Sequence, residues 1–96
     1  MIKYIIEGYR WFDKINGNTY HTIFITDAQT NKNIFESKKV VYGYDDQYRH
    51  TAIDELIKLK LFKEKDRFNH ALKHKILYFN VTDVSRKKDL FLRSVE

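Results

Sequence analysis

Cysteine and proline are absent from this 96-residue chain, and it has only three glycines, one tryptophan and one methionine. Without cysteine there is neither a disulfide framework nor a thiolate metal site, and a disulfide-free chain suits a reducing compartment. Gly8, Gly17 and Gly43 are too scattered to form a glycine-rich phosphate loop. No serine sits in a nucleophile elbow. Long apolar runs are missing too: the opening stretch Met1-Ile2-Lys3-Tyr4-Ile5-Ile6 stops at Glu7. It is therefore expected to be neither a signal peptide nor a membrane span, which points to the cytoplasm. In that setting the sequon Asn80-Val81-Thr82 has no glycosylating machinery to meet. No linker, repeat or low-complexity stretch divides residues 1–96, so one domain is expected.

Apolar residues are well supplied: 43% of the chain is hydrophobic and 16% aromatic, with seven Phe and seven Tyr. That is ample for a core and argues against a disordered chain. A domain of this size buries only roughly 60–65% of the surface its unfolded chain exposes, so modest stability is expected. The net charge of +5 is concentrated in one place. Between Lys58 and Lys75, seven basic residues (Lys58, Lys60, Lys63, Lys65, Arg67, Lys73, Lys75) stand against Glu64 and Asp66, which accounts for the whole excess. A polyanionic partner explains such a segment; so does a solvated helix face that uses lysine for solubility.

Residues 2 to 12 and 19 to 26 are rich in β-branched and aromatic side chains, and Lys14-Ile15-Asn16-Gly17-Asn18 separates them. Asn-Gly is the strongest short-range hairpin signal, because both residues tolerate the positive φ of a type I′ turn. After the polar stretch Asp27 to Asn33, the run Ile34 to Tyr44 reads as a third antiparallel strand. Asp45 or Asp46 then suits a helix N-cap. Tyr48, Ala52, Leu56 and Leu59 recur at helical spacing, widened by Ile53 and Ile57, which predicts a helix over 47–61. A shorter helix over 64–74 follows, with Phe68, Ala71 and Leu72 as its apolar side, and residues 76–82 read as a strand returning to the sheet. The tail 83–96 mixes charge with Leu90, Phe91 and Leu92 and has no clear periodicity. The expected fold is α+β, an antiparallel sheet of three or four strands with one or two helices packed on one face.

Catalytic signals are weak, and the chain reads as non-enzymatic. Asp45 and Asp46 are adjacent, so their carboxylates diverge on most backbones, and a cap explains them more simply. His70 and His74 share a helix face, but zinc needs a third protein ligand, and the metalloprotease pattern needs Glu where Ala71 stands. His21 and His50 have no such spacing. No metal or cofactor is expected.

With a two-residue turn at Asn16-Gly17, Tyr9 would oppose Phe24, Trp11 would oppose Thr22, and Asp13 would oppose Tyr20. One face then carries Tyr9, Trp11, Tyr20 and Phe24, and the other Ile6, Phe12, Ile23 and Ile25, with Arg10 and His21 near the turn. The aliphatic face makes the better core. An open aromatic face beside basic residues is how several modules stack single-stranded bases; the alternative is a register slipped by one that puts those rings in the core. In the last cluster, Arg86, Lys87 and Lys88 either grip phosphates or pair locally with Asp83 and Asp89.

Four separated segments, Arg10-Trp11-Phe12, Gly17-Asn18-Thr19-Tyr20-His21, Tyr42-Gly43-Tyr44 and Asp83-Val84-Ser85-Arg86-Lys87-Lys88-Asp89-Leu90, resemble those of small uncharacterised proteins of bacteriophages and related mobile elements. The resemblance spans most of the chain, with Asp45 standing where those proteins carry Gly after Tyr44. It implies no particular activity, but a setting of replication accessory proteins, nucleic-acid binders and inhibitors of host defence. The leading expectation is thus a binding protein that contacts nucleic acid through Lys58, Lys60, Lys63, Lys65 and Arg67, through the Tyr9/Trp11/Tyr20 face, and through Arg86, Lys87 and Lys88. The alternative is a protein-binding antagonist of a host defence or replication protein, in either case without a membrane.

Overall fold

Two aspartates set the geometry of the sheet. In the computed structural model, which describes residues 1–91, β1 (Tyr4–Asp13) and β2 (Asn18–Asp27) form the first hairpin. The Asp13 carboxylate accepts the N–H groups of Ile15 at 3.0 Å and Asn16 at 3.2 Å, and Asn16 Nδ2 donates to its other oxygen at 2.8 Å. Gly17, at φ 70°, returns its N–H to the Asp13 carbonyl at 2.7 Å. The loop therefore takes residues 14–17, and the two-residue Asn16-Gly17 turn expected from the sequence does not form. The register moves by two: Tyr9 faces Thr22, Trp11 faces Tyr20 and Asp13 faces Asn18. A shift of two keeps every side chain on its expected face, because the strand period is two.

The same device closes the next loop. The Asp27 carboxylate accepts from Gln29 at 2.8 Å and Thr30 at 3.1 Å, and Asn31, at φ 61°, donates to the Asp27 carbonyl at 2.7 Å. The strand expected over 34–44 is split in two. After β3 (Asn33–Glu36), Ser37 turns inward: its hydroxyl accepts from the Ile23 N–H and its own N–H donates to the Ile23 carbonyl, both at 2.9 Å. The chain resumes as β4 (Val41–Tyr42), beside Tyr20 and His21.

Helix α1 (Gln47–Lys58) lies across the aliphatic face. Neither aspartate caps it as expected. Asp46 occupies the N-cap position without a side-chain cap bond and lies 3.8 Å from Arg49 Nε. Asp45 sits at φ 52° and offers its carbonyl to Arg10 Nη1 at 2.8 Å, while Arg10 Nε and Nη2 hold Asp83 at 2.8 and 3.2 Å. This fork ties the start of α1 to the sheet. The helix buries Tyr48, Ala52, Ile53 and Leu56 against Ile6, Ile23, Ile25 and Leu77. Leu59, expected in that stripe, is exposed because the helix ends first. Lys60 takes φ 61°, and the N–H groups of Leu61 and Lys60 return to the carbonyls of Leu56 and Ile57, each at 2.9 Å.

The helix expected over 64–74 is interrupted as well. A single 3-10 turn at Glu64–Asp66 precedes α2 (His70–Ile76), which the Asn69 side chain caps by accepting the Leu72 N–H at 3.0 Å. Strand β5 (Leu77–Val84) then joins β1 in parallel, giving a sheet of order β3-β2-β1-β5 with β4 also on β2. The α+β class stands, but the sheet is mixed where an antiparallel one was expected. The helical crossover returns the chain to the end of the sheet where β1 starts, so β5 must run the same way as β1. The described residues end on the other face with a 3-10 segment, Lys87–Phe91, that buries Leu90; Leu92 and the rest of the tail lie outside them.

Leu56 is fully buried at the centre of the contact between α1 and the sheet. Leu56→Ala is expected to lower unfolding free energy by about 2–5 kcal/mol, read as a lower urea midpoint at unchanged slope. An unchanged midpoint would remove α1 from the core.

Candidate functional site

The aromatic face of the sheet is narrower than expected. Leu90 folds over Tyr9 and Phe24, which meet edge to face at 5.5 Å and are only 2% and 3% exposed. The Thr22 hydroxyl fastens this cover by donating to the Leu90 carbonyl. Tyr9 is therefore a core residue and presents no ring for stacking, contrary to the expected platform. Trp11 and Tyr20 stay half-buried, stacked on each other at 6.1 Å with 23° between planes, and Tyr42 meets Tyr20 at 5.9 Å. What remains open is a small Trp11/Tyr20/Tyr42 cluster.

Arg86, Lys87 and Lys88 are exposed where the chain leaves β5 and enters the covering segment. Arg86 is engaged locally, with Nε and Nη2 each 3.1 Å from an Asp89 carboxylate oxygen. Lys87 lies near Asp13. The Asp13 carboxyl is held below the usual carboxylate range first by the Asn16 side-chain hydrogen bond, then by the loop N–H groups and by Lys87.

The basic segment occupies the other side of the molecule. Phe62, Leu72 and Ile76 anchor it to the cluster built on Ile6, Ile23 and Ile25, whereas Trp11 and Tyr20 pack beneath Leu90. The expected joint surface of lysines and aromatic rings therefore does not exist, because the sheet separates its two halves. Lys58 pairs with Glu55 at 3.5 Å, while Lys60, Lys63 and Lys65 are exposed. Arg67 is not available as a phosphate ligand. Its Nε and Nη2 grip both Glu64 oxygens at 2.8 and 2.9 Å, and Nη1 holds Asp54 at 2.6 Å. The pairing raises the Arg67 pKa and holds the Glu64 carboxyl below its ordinary range. Arg67 thus clamps the 3-10 turn onto α1.

The helical side holds a cleft of about 270 Å³ that the sequence reading did not find. Asp46, Arg49, His50 and Ile53 line it from α1 and its cap, Arg67 and Phe68 from the connection, His70, Lys73 and His74 from α2, and Phe79 from β5. Six of these side chains are cationic or protonatable and one is a carboxylate. The Arg49 guanidinium lies over the Phe79 ring at 4.9 Å and over Tyr48 at 5.9 Å, so it is both oriented and partly desolvated. Lys73 has no acidic partner within ion-pair distance among the described residues. The pairing of His70 with His74 was visible as an i,i+4 spacing. Their convergence with His50 was not, because it needs α2 docked beside α1. Among the described residues, no group of three or more His, Asp or Glu is placed to hold a metal ion. The lining is suited to anions instead, with imidazole, ammonium and guanidinium donors around one pocket.

His21 plays a different part. It is buried, with Nδ1 3.2 Å from the Gly43 carbonyl and Nε2 2.7 Å from Thr51 Oγ1. A carbonyl only accepts, so Nδ1 donates to Gly43, while the Thr51 hydroxyl stands between Nε2 and the Gln47 carbonyl, 3.3 Å from the latter. The ring joins β2 to the β4–α1 connection and to α1.

No family model, curated protein or solved structure matches this chain.

Burial lowers the His21 pKa from its ordinary 6.5, with the Gly43 bond opposing. The unfolded chain then binds the proton more readily than the folded one. Stability is complete above about pH 6.5 and falls as the pH drops below it. Melting temperature is expected to fall between about pH 7.5 and 5.5, and to fall less in His21→Gln, itself less stable at both. An equal fall in both proteins would assign the acid sensitivity elsewhere.

Proposed function

We propose that the protein binds nucleic acid without catalysis, through the helical side of the sheet. The observation that carries this reading is the cleft, where, besides the engaged Arg67, Arg49, Lys73 and three histidines stand with one carboxylate and two aromatic rings. The exposed Lys60, Lys63 and Lys65 lie in the stretch of chain that leads into it and extend the positive surface along a phosphate backbone. Lys87 and Lys88 on the other face are left as secondary contacts. Asp45 and Asp46 support a structural reading: one presents its carbonyl to Arg10, the other lies beside Arg49. A phage-like setting in the cytoplasm of a host cell is part of this proposal.

A second reading has its own observation. Phe12, Ile15, Tyr42 and Tyr44 are 52%, 93%, 61% and 65% exposed. Phe12 and Tyr44 line one shallow depression with Arg10 and Asp83, and Ile15 stands in the adjoining β1–β2 loop. Exposed aromatic and aliphatic side chains at one end of a small domain mark a protein-docking surface. This favours an antagonist that occludes a host defence or replication protein.

Fluorescence anisotropy of labelled DNA and RNA oligonucleotides across a salt series separates the two. Wild-type affinity is expected to fall as a power of salt. Replacing both Arg49 and Lys73 by Gln should weaken binding whatever the base sequence and flatten the slope by about 0.7–0.9 per lost phosphate contact. Trp11→Ala, on the far side of the sheet, should leave both affinity and slope unchanged. Absence of binding to every oligonucleotide at low salt would end the nucleic-acid reading in favour of protein docking.

A further inference from the structure

The cleft also carries information about what kind of strand enters it. We propose that it takes one unpaired nucleotide of a single strand, with the base against Phe68 and the phosphate among Arg49, Lys73 and the histidines. This rests on the nucleic-acid reading above and adds the strand type and the residue that selects it.

Two aromatic rings line the cleft, and they differ in what they already touch. Phe79 is met edge-on by Tyr48 at 6.2 Å and covered by the Arg49 guanidinium at 4.9 Å, so it is a floor already in use. Phe68 lies outside the hydrophobic clusters and is 73% exposed, the most solvent-open aromatic ring among the described residues. A ring held in water at the rim of a cationic cleft offers a stacking face that every base can use. Bases in a duplex are stacked on each other and their faces are closed to side chains, so only an unpaired base can use it.

Size points the same way. A cleft of about 270 Å³ falls just below the usual range for small-molecule pockets, about 300–1,000 Å³. It accommodates one nucleotide and not a segment of duplex. Arg67 forms a wall, since its donors are engaged by Glu64 and Asp54. That leaves Arg49 and Lys73 as the charges available to a phosphate. Asp46, the one lining carboxylate, lies 3.8 Å from Arg49 Nε. His50, His70 and His74 supply ring N–H donors to phosphate or base edges.

The test measures binding of a labelled mixed-sequence single strand, of the same strand annealed to its complement, and of a free nucleoside monophosphate as competitor. The single strand is expected to bind at least tenfold tighter than the duplex. Phe68→Ala should weaken the single strand by roughly 5- to 150-fold and leave the duplex and the melting temperature unchanged. Lys73→Gln should weaken both, by removing a phosphate contact they share. Equal affinity for single strand and duplex, or a Phe68→Ala variant that binds the single strand like wild type, overturns the unpaired-nucleotide site and leaves the nucleic-acid reading standing. A monophosphate that competes at concentrations equal to those of the strand reassigns the cleft to free nucleotides and also overturns the proposal. No binding by any probe overturns both readings together.

Discussion

Tyr48 lies with its ring on the bare backbone of Gly8, and much of the architecture depends on that contact. A Cβ on Gly8 would come within 2.5 Å of the ring, so no other residue fits at the centre of β1 without displacing the helix. The contact lets α1 sit close to the sheet and buries Tyr48 to 1% exposure. It also fixes the next residue: with Tyr48 seated and Phe79 meeting it edge to face, Arg49 is carried over both rings. One wall of the cleft is thus set by a packing requirement in the core. The opposite wall, α2, is held by Leu72 and Ile76 in the same apolar cluster and by the Arg67 clamp onto Asp54.

The two faces of the sheet consequently do different work. On the helical face the core is aliphatic and the elements above it leave a cationic cleft. On the other face a short C-terminal segment closes over Tyr9 and Phe24 by burying one leucine and accepting one hydroxyl hydrogen bond. A buried threonine hydroxyl left without a partner would be costly, so the Thr22 bond favours the closed arrangement. The rings that looked like a binding platform belong largely to a second, smaller core.

Much of the fold was legible because its signals are local. The strand periodicity, the polar stretch Asp27 to Asn33 and the Tyr48/Ala52/Leu56 stripe all act within a few residues. The assignment of side chains to faces survived an error in the hairpin, since the register moved by two and the period is two. The turn itself was misread because the Asp13 carboxylate competes for the loop N–H groups, a preference that Asn16-Gly17 alone does not reveal. The remaining features depend on partners far apart in sequence. Tyr9 is buried by Leu90, β5 pairs with a strand more than seventy residues earlier, and Arg67 is neutralised in part by Asp54. The candidate site was legible only as pieces. The basic segment and the His70/His74 spacing were visible, but His50 and Arg49 gave no sign that they would face them.

Three residues on the helical side depart from local rules. Lys60 ends α1 in the left-handed region, where a side chain costs about 1 kcal/mol and glycine would cost far less. Asn31, the other left-handed residue outside the β4–α1 corner and the glycines, is of a type that tolerates the conformation. Phe68 exposes most of an aromatic ring to water, and Lys73 stands without an acidic partner among the described residues. None of these choices improves the fold. Glycine at the helix end, a polar residue at the rim and a carboxylate beside the lysine would each be expected to stabilise it. Two of them, Phe68 and Lys73, line the cleft, and locally unfavourable residues at that place are consistent with the binding role proposed for it.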